Sequence, residues 1–439
     1  MPRLVAVGCA SLVACGGPAV TLTIDGDRQV PGELDAICVG VADRDLGGGS
    51  FGRAYRLDGR LGHLPQTLAV EAGGADGALA WARGYRGGVP VAFDRAALDF
   101  GEDVTLRLDR CPRARAGVIA PVATVAGTGR LLASTGHGGT VVIAVDAAGA
   151  AVIDARGDSL VVEPLAGAAG TAAIAFDADG DCDDDLAVAT ATAVTLFVRD
   201  GAGFTAGATL PGAAALAALD VDGDADLDLI TGAGGALALY RNDGAGGFTA
   251  APGAIDPGGA LTAVSALAAG DLDGDGHGDL LVGQDGAPPA ALVGDPSGAV
   301  LAVAPAVFPP VALTVRDLAP ADVDGDLDLD VVVALAGAPA RVYVNRGGRL
   351  EDQSYVRLPQ PAPVASTAAI GDWDGDCAPD VVLAGPASAA LRGGAADAPF
   401  TEERALGGAV SATLADLDDD GDPDLVLATA ASMIEWYRR

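Results

Sequence analysis

The sequence predicts an all-β protein, a ring of small four-stranded sheets preceded by a smaller β-sandwich. Three observations predict it: a nine-residue pattern of aspartates occurs six times, the copies start 43 to 51 residues apart, and each runs directly into a short Val/Leu-rich stretch. Each element of that reading follows from particular residues.

The copies begin at Asp177, Asp220, Asp271, Asp322, Asp372 and Asp416, and are called loops one to six. Positions 1, 3, 5 and 9 are aspartate in all of them. In loops one to three these are Asp177, Asp179, Asp181 and Asp185, then Asp220, Asp222, Asp224 and Asp228, then Asp271, Asp273, Asp275 and Asp279. In loops four to six they are Asp322, Asp324, Asp326 and Asp330, then Asp372, Asp374, Asp376 and Asp380, then Asp416, Asp418, Asp420 and Asp424. Four carboxylates so close together need a cation between them. Calcium takes six to eight hard oxygen ligands at about 2.3–2.6 Å, and a tight loop with aspartate at alternating positions offers them. Position 7 usually contributes a backbone carbonyl, so its side chain is free to vary: Asp183, Asp226, His277, Asp328, Ala378 and Asp422. Glycine at position 4 (Gly180, Gly223, Gly274, Gly325 and Gly375) permits a positive φ. Loop six places Asp419 there and moves its glycine to Gly421. About six calcium ions are expected.

These loops are not EF-hands, which need a bidentate glutamate at position 12. Here position 12 is Val188, Thr231, Val282, Val333, Leu383 or Leu427. Position 10 is always Leu or Val and opens a run such as Val331-Val-Val-Ala, the mark of a strand. Each loop therefore sits within a β-hairpin. An acidic solvated turn would explain one such loop; six copies of so long a pattern argue against it.

A period of about 40–50 residues built from strands alone indicates propeller blades of four strands. One unit traces as strands at 173–176, 186–190, 194–199 and 204–208, and the next repeats it with 237–241 and 248–250. A unit without a metal loop precedes them, with 130–135 in the place of strand two, 140–145 of strand three and 151–154 of strand four. The last unit shows no fourth strand after 433–438, so the segment near 116–122 is expected to complete it. The expectation is seven blades, six of them with calcium loops.

These residues resemble the FG-GAP/VCBS repeat family, whose units carry Asp-x-Asp-Gly-Asp-x-x-x-Asp-Leu and to whose broad class the integrin α head belongs. The resemblance covers about three quarters of the chain, strongest at the loops, with fragments of the Phe-Gly and Gly-Ala-Pro signatures at Gly203-Phe204, Gly247-Phe248 and Gly385-Pro386. It implies a calcium-loaded propeller used for binding, adhesion or scaffolding.

Residues 1–14 read as a signal peptide: Met1-Pro-Arg, then an apolar run from Leu4 to Ala14 that is too short to span a bilayer. It ends in Leu12-Val-Ala-Cys15, which looks like a bacterial lipobox with Cys15 as the lipidated residue. Gly16 follows, and the absence of Asp there implies outer-membrane sorting in diderm bacteria. Residues 15–112 read as a tether and an immunoglobulin-like sandwich, with strands at 20–24, 37–42, 53–57, 67–71, 78–85, 90–93 and 104–108. Cys38 and Cys111 bracket this segment and are expected to form a disulfide in an oxidising compartment. Cys182 and Cys377 fall at position 6 of loops one and five, in blades that are not neighbours, and stay unassigned. Residues 113–439 form the propeller.

The net charge is −34, and the 24 loop aspartates supply much of the 60 acidic residues. Nucleic acid and anionic membrane surfaces are poor partners for such a field. The chain has three histidines, His63, His137 and His277, none with a catalytic setting, and no nucleophile elbow, Walker loop, dinucleotide fingerprint or His-Glu-x-x-His. Arg156-Gly-Asp-Ser159 matches the integrin-recognition tripeptide but is readily expected by chance in so Gly- and Asp-rich a chain. The favoured function is a monomeric, non-enzymatic lipoprotein of the bacterial outer membrane or cell surface that binds a protein or glycan ligand. The alternatives are a polysaccharide lyase-like enzyme on a calcium-bearing propeller, and a spacer without a ligand.

Overall fold

The computed structural model describes residues 121–438 apart from 128, 135–139, 201–202, 225, 276, 295–299, 305, 325, 327, 374–377, 394–397 and 419–422. Of the first 120 residues it describes 3–5, 19–26, 36–43, 51–56, 66–71, 78–86, 89–98 and 104–107. The chain divides into two compact units. One is Met1–Pro112 with Thr135–Gly138 and Gly180–Asp183; the other is Arg113–Ser134 with Gly139–Asp179 and Asp184–Arg439.

The first unit holds two four-stranded sheets. One is ordered Arg3–Val5, Gln66–Glu71, Ala19–Asp25, Val104–Arg107; the other Phe51–Arg56, Ala36–Asp43, Ala78–Arg86, Val89–Leu98. A strand forms at each place read from the alternation. Leu22 and Ile24, Ile37 and Val39, and Ala80 and Ala82 are buried in pairs two residues apart, the spacing that puts side chains on one face of a strand. Arg3–Val5 lies inside the segment read as a leader, yet pairs in parallel with Gln66–Glu71. Cys15, Cys111 and the side chain of Cys38 lie outside the described residues.

The second unit is a series of antiparallel sheets with their strands in chain order. Ala172–Phe176, Asp185–Ala189, Ala193–Asp200 and Gly203–Pro211 make one; Ala215–Leu219, Asp228–Ala233, Ala236–Asn242 and Phe248–Ala250 make the next. Ala263–Gly270 and Leu313–Ala321 open two further groups, joined by bridges between Asp285 and Thr314 and between Ala287 and Leu313 into one nine-stranded sheet. Thr367–Gly371 and Ala409–Ala415 open the last two. The opening strands form a closed series, each against the next from Arg130–Ser134 to Ala409–Ala415, which lies against Arg130–Ser134 again. This is a propeller-like repeat fold. The one helical segment among the described residues is the turn Ser354–Arg357.

A hydrophobic cluster fills each gap between successive sheets. Val141, Ile143 and Val145 meet Leu186, Val188 and Phe197 across one gap; Leu131, Val142 and Ile153 meet Val426, Ile434 and Trp436 across another. The residue at position 10 of every loop (Leu186, Leu229, Leu280, Val331, Val381 and Leu425) is 0% exposed, so each loop feeds straight into the most buried strand of its sheet.

Two strand expectations shift. The closing strand described is Ala123–Ala126, just after the expected 116–122, of which 116–120 lie outside the described residues; it pairs antiparallel with Met433–Tyr437, Val125 opposite Ile434. Because it belongs to the last sheet, Arg130–Ser134 is the first strand of the following sheet rather than its second. Val141–Asp146, Gly149–Arg156 and Ser159–Leu165 complete that sheet. Arg156-Gly-Asp-Ser159 is its final hairpin turn, with Gly157 at φ 62° and Arg438 donating to Asp158 Oδ1 at 2.9 Å.

Candidate metal centre

Each loop joins the first two strands of its sheet, and the register fixes its mouth. Phe176 pairs with Asp185, Leu219 with Asp228, Gly270 with Asp279, Ala321 with Asp330, Gly371 with Asp380 and Ala415 with Asp424. Position 9 is thus already the first residue of the second strand. Glycines at position 4 take the left-handed conformation where described, with φ 75°, 77° and 76° at Gly180, Gly223 and Gly274.

Position 9 is buried in every loop, at 0–1% exposure in all six, and in loop one Asp183 at position 7 is equally buried. Its two oxygens point opposite ways. One accepts the N–H of position 2: Ala178 to Asp185 at 2.9 Å, Leu272 to Asp279 at 2.7 Å, Val323 to Asp330 at 2.9 Å, Trp373 to Asp380 at 2.8 Å. The other accepts an N–H from the third strand of the sheet: Arg199 at 2.7 Å, Asn242 at 2.8 Å, Gly294 at 2.9 Å, Asn345 at 2.7 Å and Gly393 at 2.8 Å. In loop six the indole Nε1 of Trp436 donates to Asp424 Oδ2 at 2.9 Å. Position 9 therefore ties the loop to the sheet, and in loops one, three and four its carboxylate also gathers with others of the loop, whereas Asp228 in loop two does not.

The remaining positions shape the turn. Position 1 accepts from the loop backbone, Gly223 N–H to Asp220 Oδ1 at 2.7 Å and Gly274 N–H to Asp271 Oδ1 at 2.8 Å. Position 5 accepts the N–H of position 7, as between Asp181 and Asp183 at 2.8 Å and between Asp275 and His277 at 2.8 Å. Carboxylate oxygens gather within 4.8 Å of one another in four groups: Asp177, Asp179 and Asp185; Asp220, Asp222 and Asp224; Asp271, Asp273 and Asp279; Asp322, Asp324 and Asp330. Each group can hold a metal ion. Asp181, Asp275 and Asp326 at position 5, and Asp183, Asp226, His277 and Asp328 at position 7, are outside these groups among the described residues. In loop five Asp374 and Asp376, and in loop six Asp420 and Asp422, lie outside the described residues, while Asp372, Ala378, Asp380, Asp416, Asp418 and Asp424 are within them.

Position 3 carries the clearest sign of a cation. Oδ1 of Asp179, of Asp222 and of Asp324 is buried and has no hydrogen-bond partner. A buried carboxylate oxygen left bare is costly, and a hard cation satisfies it.

Protonation follows from the same crowding. Burial pushes Asp185 up to about 8, partly offset by the N–H groups of Arg199 and Ala178 and reinforced by the charges of Asp179 and Asp177. Burial likewise raises Asp279 and Asp330 to about 7 and Asp228 to about 6. A divalent ion held here would compete with protons for these groups.

The sequence did not show how neighbouring repeats are fastened. Asn242 Nδ2 donates to Ala178 O, in the loop of the repeat before it, at 2.7 Å, and to Leu227 O of its own loop at 3.1 Å. Asn345 does the same to Leu272 O at 2.6 Å and Leu329 O at 3.2 Å. Where the preceding sheet lacks a metal loop, Arg199 takes the part, its Nη1 donating to Ser134 O and Oγ at 3.0 Å. An Asn or Arg closing the third strand was the only available signal. Arginines also reach position 3: Arg241 pairs with Asp222, Arg346 and Arg357 with Asp324, and Arg438 with Asp418. Cys182, unassigned from sequence, is disulfide-bonded and sits at φ 70°.

No curated protein matches the chain. A solved structure of an Agrocybe aegerita lectin, described as recognising non-reducing terminal N-acetylglucosamine, is similar at 16% identity and a TM-score of 0.46, over 90% of this chain and 95% of that one. Residues 177–231, 220–282 and 322–383 match the FG-GAP-like repeat and 263–303 the FG-GAP repeat; loops one to five fall within these matches, and loop six lies outside them.

Proposed function

We propose that this chain is a calcium-stapled, seven-bladed propeller acting as a binding or scaffolding module, with a protein or glycan as its ligand. The observation that carries the metal part is the bare Oδ1 of Asp179, Asp222 and Asp324, each among converging carboxylates. Calcium suits these sites because the donors are all hard oxygens. The loops are then structural: each cation closes the turn between two strands whose side chains fill the gaps between sheets. FG-GAP repeats support a binding role over catalysis, because the loops account for the conspicuous carboxylates without chemistry.

In this reading the two sheets of residues 19–107 form a sandwich, Cys15 carries a lipid, and the protein stands at a bacterial outer membrane or cell surface. Calorimetric titration of the metal-free protein, paired with thermal melts in calcium and in EGTA, tests the central claim. Uptake of about six ions with a raised melting temperature is expected. No heat and an unchanged melt would sink it. Mass spectrometry of membrane fractions from wild type and Cys15→Ala tests the anchor, with loss of an acyl mass expected in the variant. A glycan array and a cell-surface pull-down test the ligand class.

A further inference from the structure

Loops three and four share a pattern but not a charge environment. Asp324, 3% exposed at its side chain, has two guanidiniums on its Oδ2: Arg346 Nη1 at 2.9 Å and Arg357 Nη2 at 3.1 Å. Arg346 Nη1 also reaches Asp326 Oδ2 at 2.9 Å. Arg357 is itself 1% exposed and built into place: its Nε donates to Gln353 Oε1 at 3.2 Å, and its carbonyl accepts the N–H of Phe400 at 2.8 Å. A guanidinium so stripped of water is kept only with an anion against it. It comes from the helical turn Ser354–Arg357, which lies outside the four-stranded repeat. Loop three has no such source in its own repeat, because the sequence contains no lysine or arginine between Arg241 and Arg316.

The two oxygens of Asp324 thus have different tasks. Oδ2 is held by cations that belong to the chain, while Oδ1 is buried, bare and among the carboxylates of Asp322 and Asp330. We infer that Arg357, seconded by Arg346, is a resident cation of loop four, a positioning residue that fixes Asp324 and keeps the loop formed when divalent metal is withdrawn. Loop three has no arginine or lysine of its own repeat to do this. The metal sites are then unequal by construction, and falling calcium loosens the ring at loop three before loop four. This inference rests on the reading of the loops as calcium sites.

Hydrogen exchange on the full chain, in millimolar calcium and in EGTA, tests it through peptides covering 271–279 and 322–330. Withdrawal of calcium is expected to speed exchange at loop three by about tenfold or more and at loop four by less than about threefold. Arg357→Leu is expected to make loop four as calcium-dependent as loop three, and Arg357→Lys, which keeps the charge, to restore much of the difference. Equal loosening of both loops in the wild-type protein overturns the inference while leaving calcium binding intact. If neither loop responds to EGTA, the calcium reading fails and takes the inference with it. Should Arg357→Leu not fold, the wild-type comparison and Arg346→Gln, at a more exposed position, decide the matter.

Discussion

The side-chain amide of Asn345 donates to the backbone carbonyl of Leu272, 2.6 Å away and one repeat earlier in the series. The same amide group reaches Leu329 O at 3.2 Å in its own loop, and Asn345 is wholly buried. Removing the amide strands two carbonyls. Asn345→Leu is therefore expected to cost about 2–3 kcal/mol in denaturant unfolding, in calcium and in EGTA alike. A change within error would show that the sheets need no such fastening.

Position 9 and position 3 separate two roles that the repeat pattern merges. Asp330 accepts backbone N–H groups on both oxygens, so Asp330→Asn turns an amide donor toward a donor. A loss of about 2–4 kcal/mol is expected whether or not calcium is present. Asp273→Asn, at a half-open position with a carboxylate raised by burial and by the charge of Asp275, is expected to lower calcium affinity while barely changing the metal-free melt. Calorimetry and melts on the two variants would separate these outcomes; the same profile for both would contradict this division.

Acidity is expected to stabilise the metal-free protein. Asp185 at about 8, and Asp279 and Asp330 at about 7, are raised above the unfolded value near 3.9, so the folded state holds protons that the unfolded state has released. Their contribution is complete below the unfolded value and is lost as pH rises through about 7–8. In EGTA the melting temperature should fall between pH 5 and pH 8. Saturating calcium, which replaces those protons, should flatten the slope. Parallel slopes in both buffers would refute the competition.

Trp436 offers a local probe, since its ring is 0% exposed and its Nε1 donates to Asp424 Oδ2. Trp436→Phe removes that donor and part of the ring. A loss of about 2–4 kcal/mol is expected, larger than for a partly exposed aromatic, and equilibrium unfolding would show it.

Much of this architecture was legible because it is local. The step from loop to strand could be read from Leu186, Leu229, Leu280, Val331, Val381 and Leu425, all completely buried. The turn could be read from Gly180, Gly223 and Gly274, all left-handed. What stayed hidden depends on proximity between distant segments. The roles of Asn242 and Asn345 carry no local signal, since nothing in one repeat tells which carbonyl of the preceding repeat lies within reach. Arg357 belongs to a helical insertion outside the period, so no comparison between repeats would find it. The closing strand extends past the expected 116–122 into 123–126, which is similarly apolar, and the pairing of Val125 with Ile434 places it.

That pairing sets an order of events during synthesis. Ala123–Ala126 leaves the ribosome some three hundred residues before its partner Met433–Tyr437, so the first sheets must wait, unsealed on one flank, until that partner has been made. A nascent chain would stay sensitive to protease until Met433–Tyr437 emerged, then become resistant in a single step.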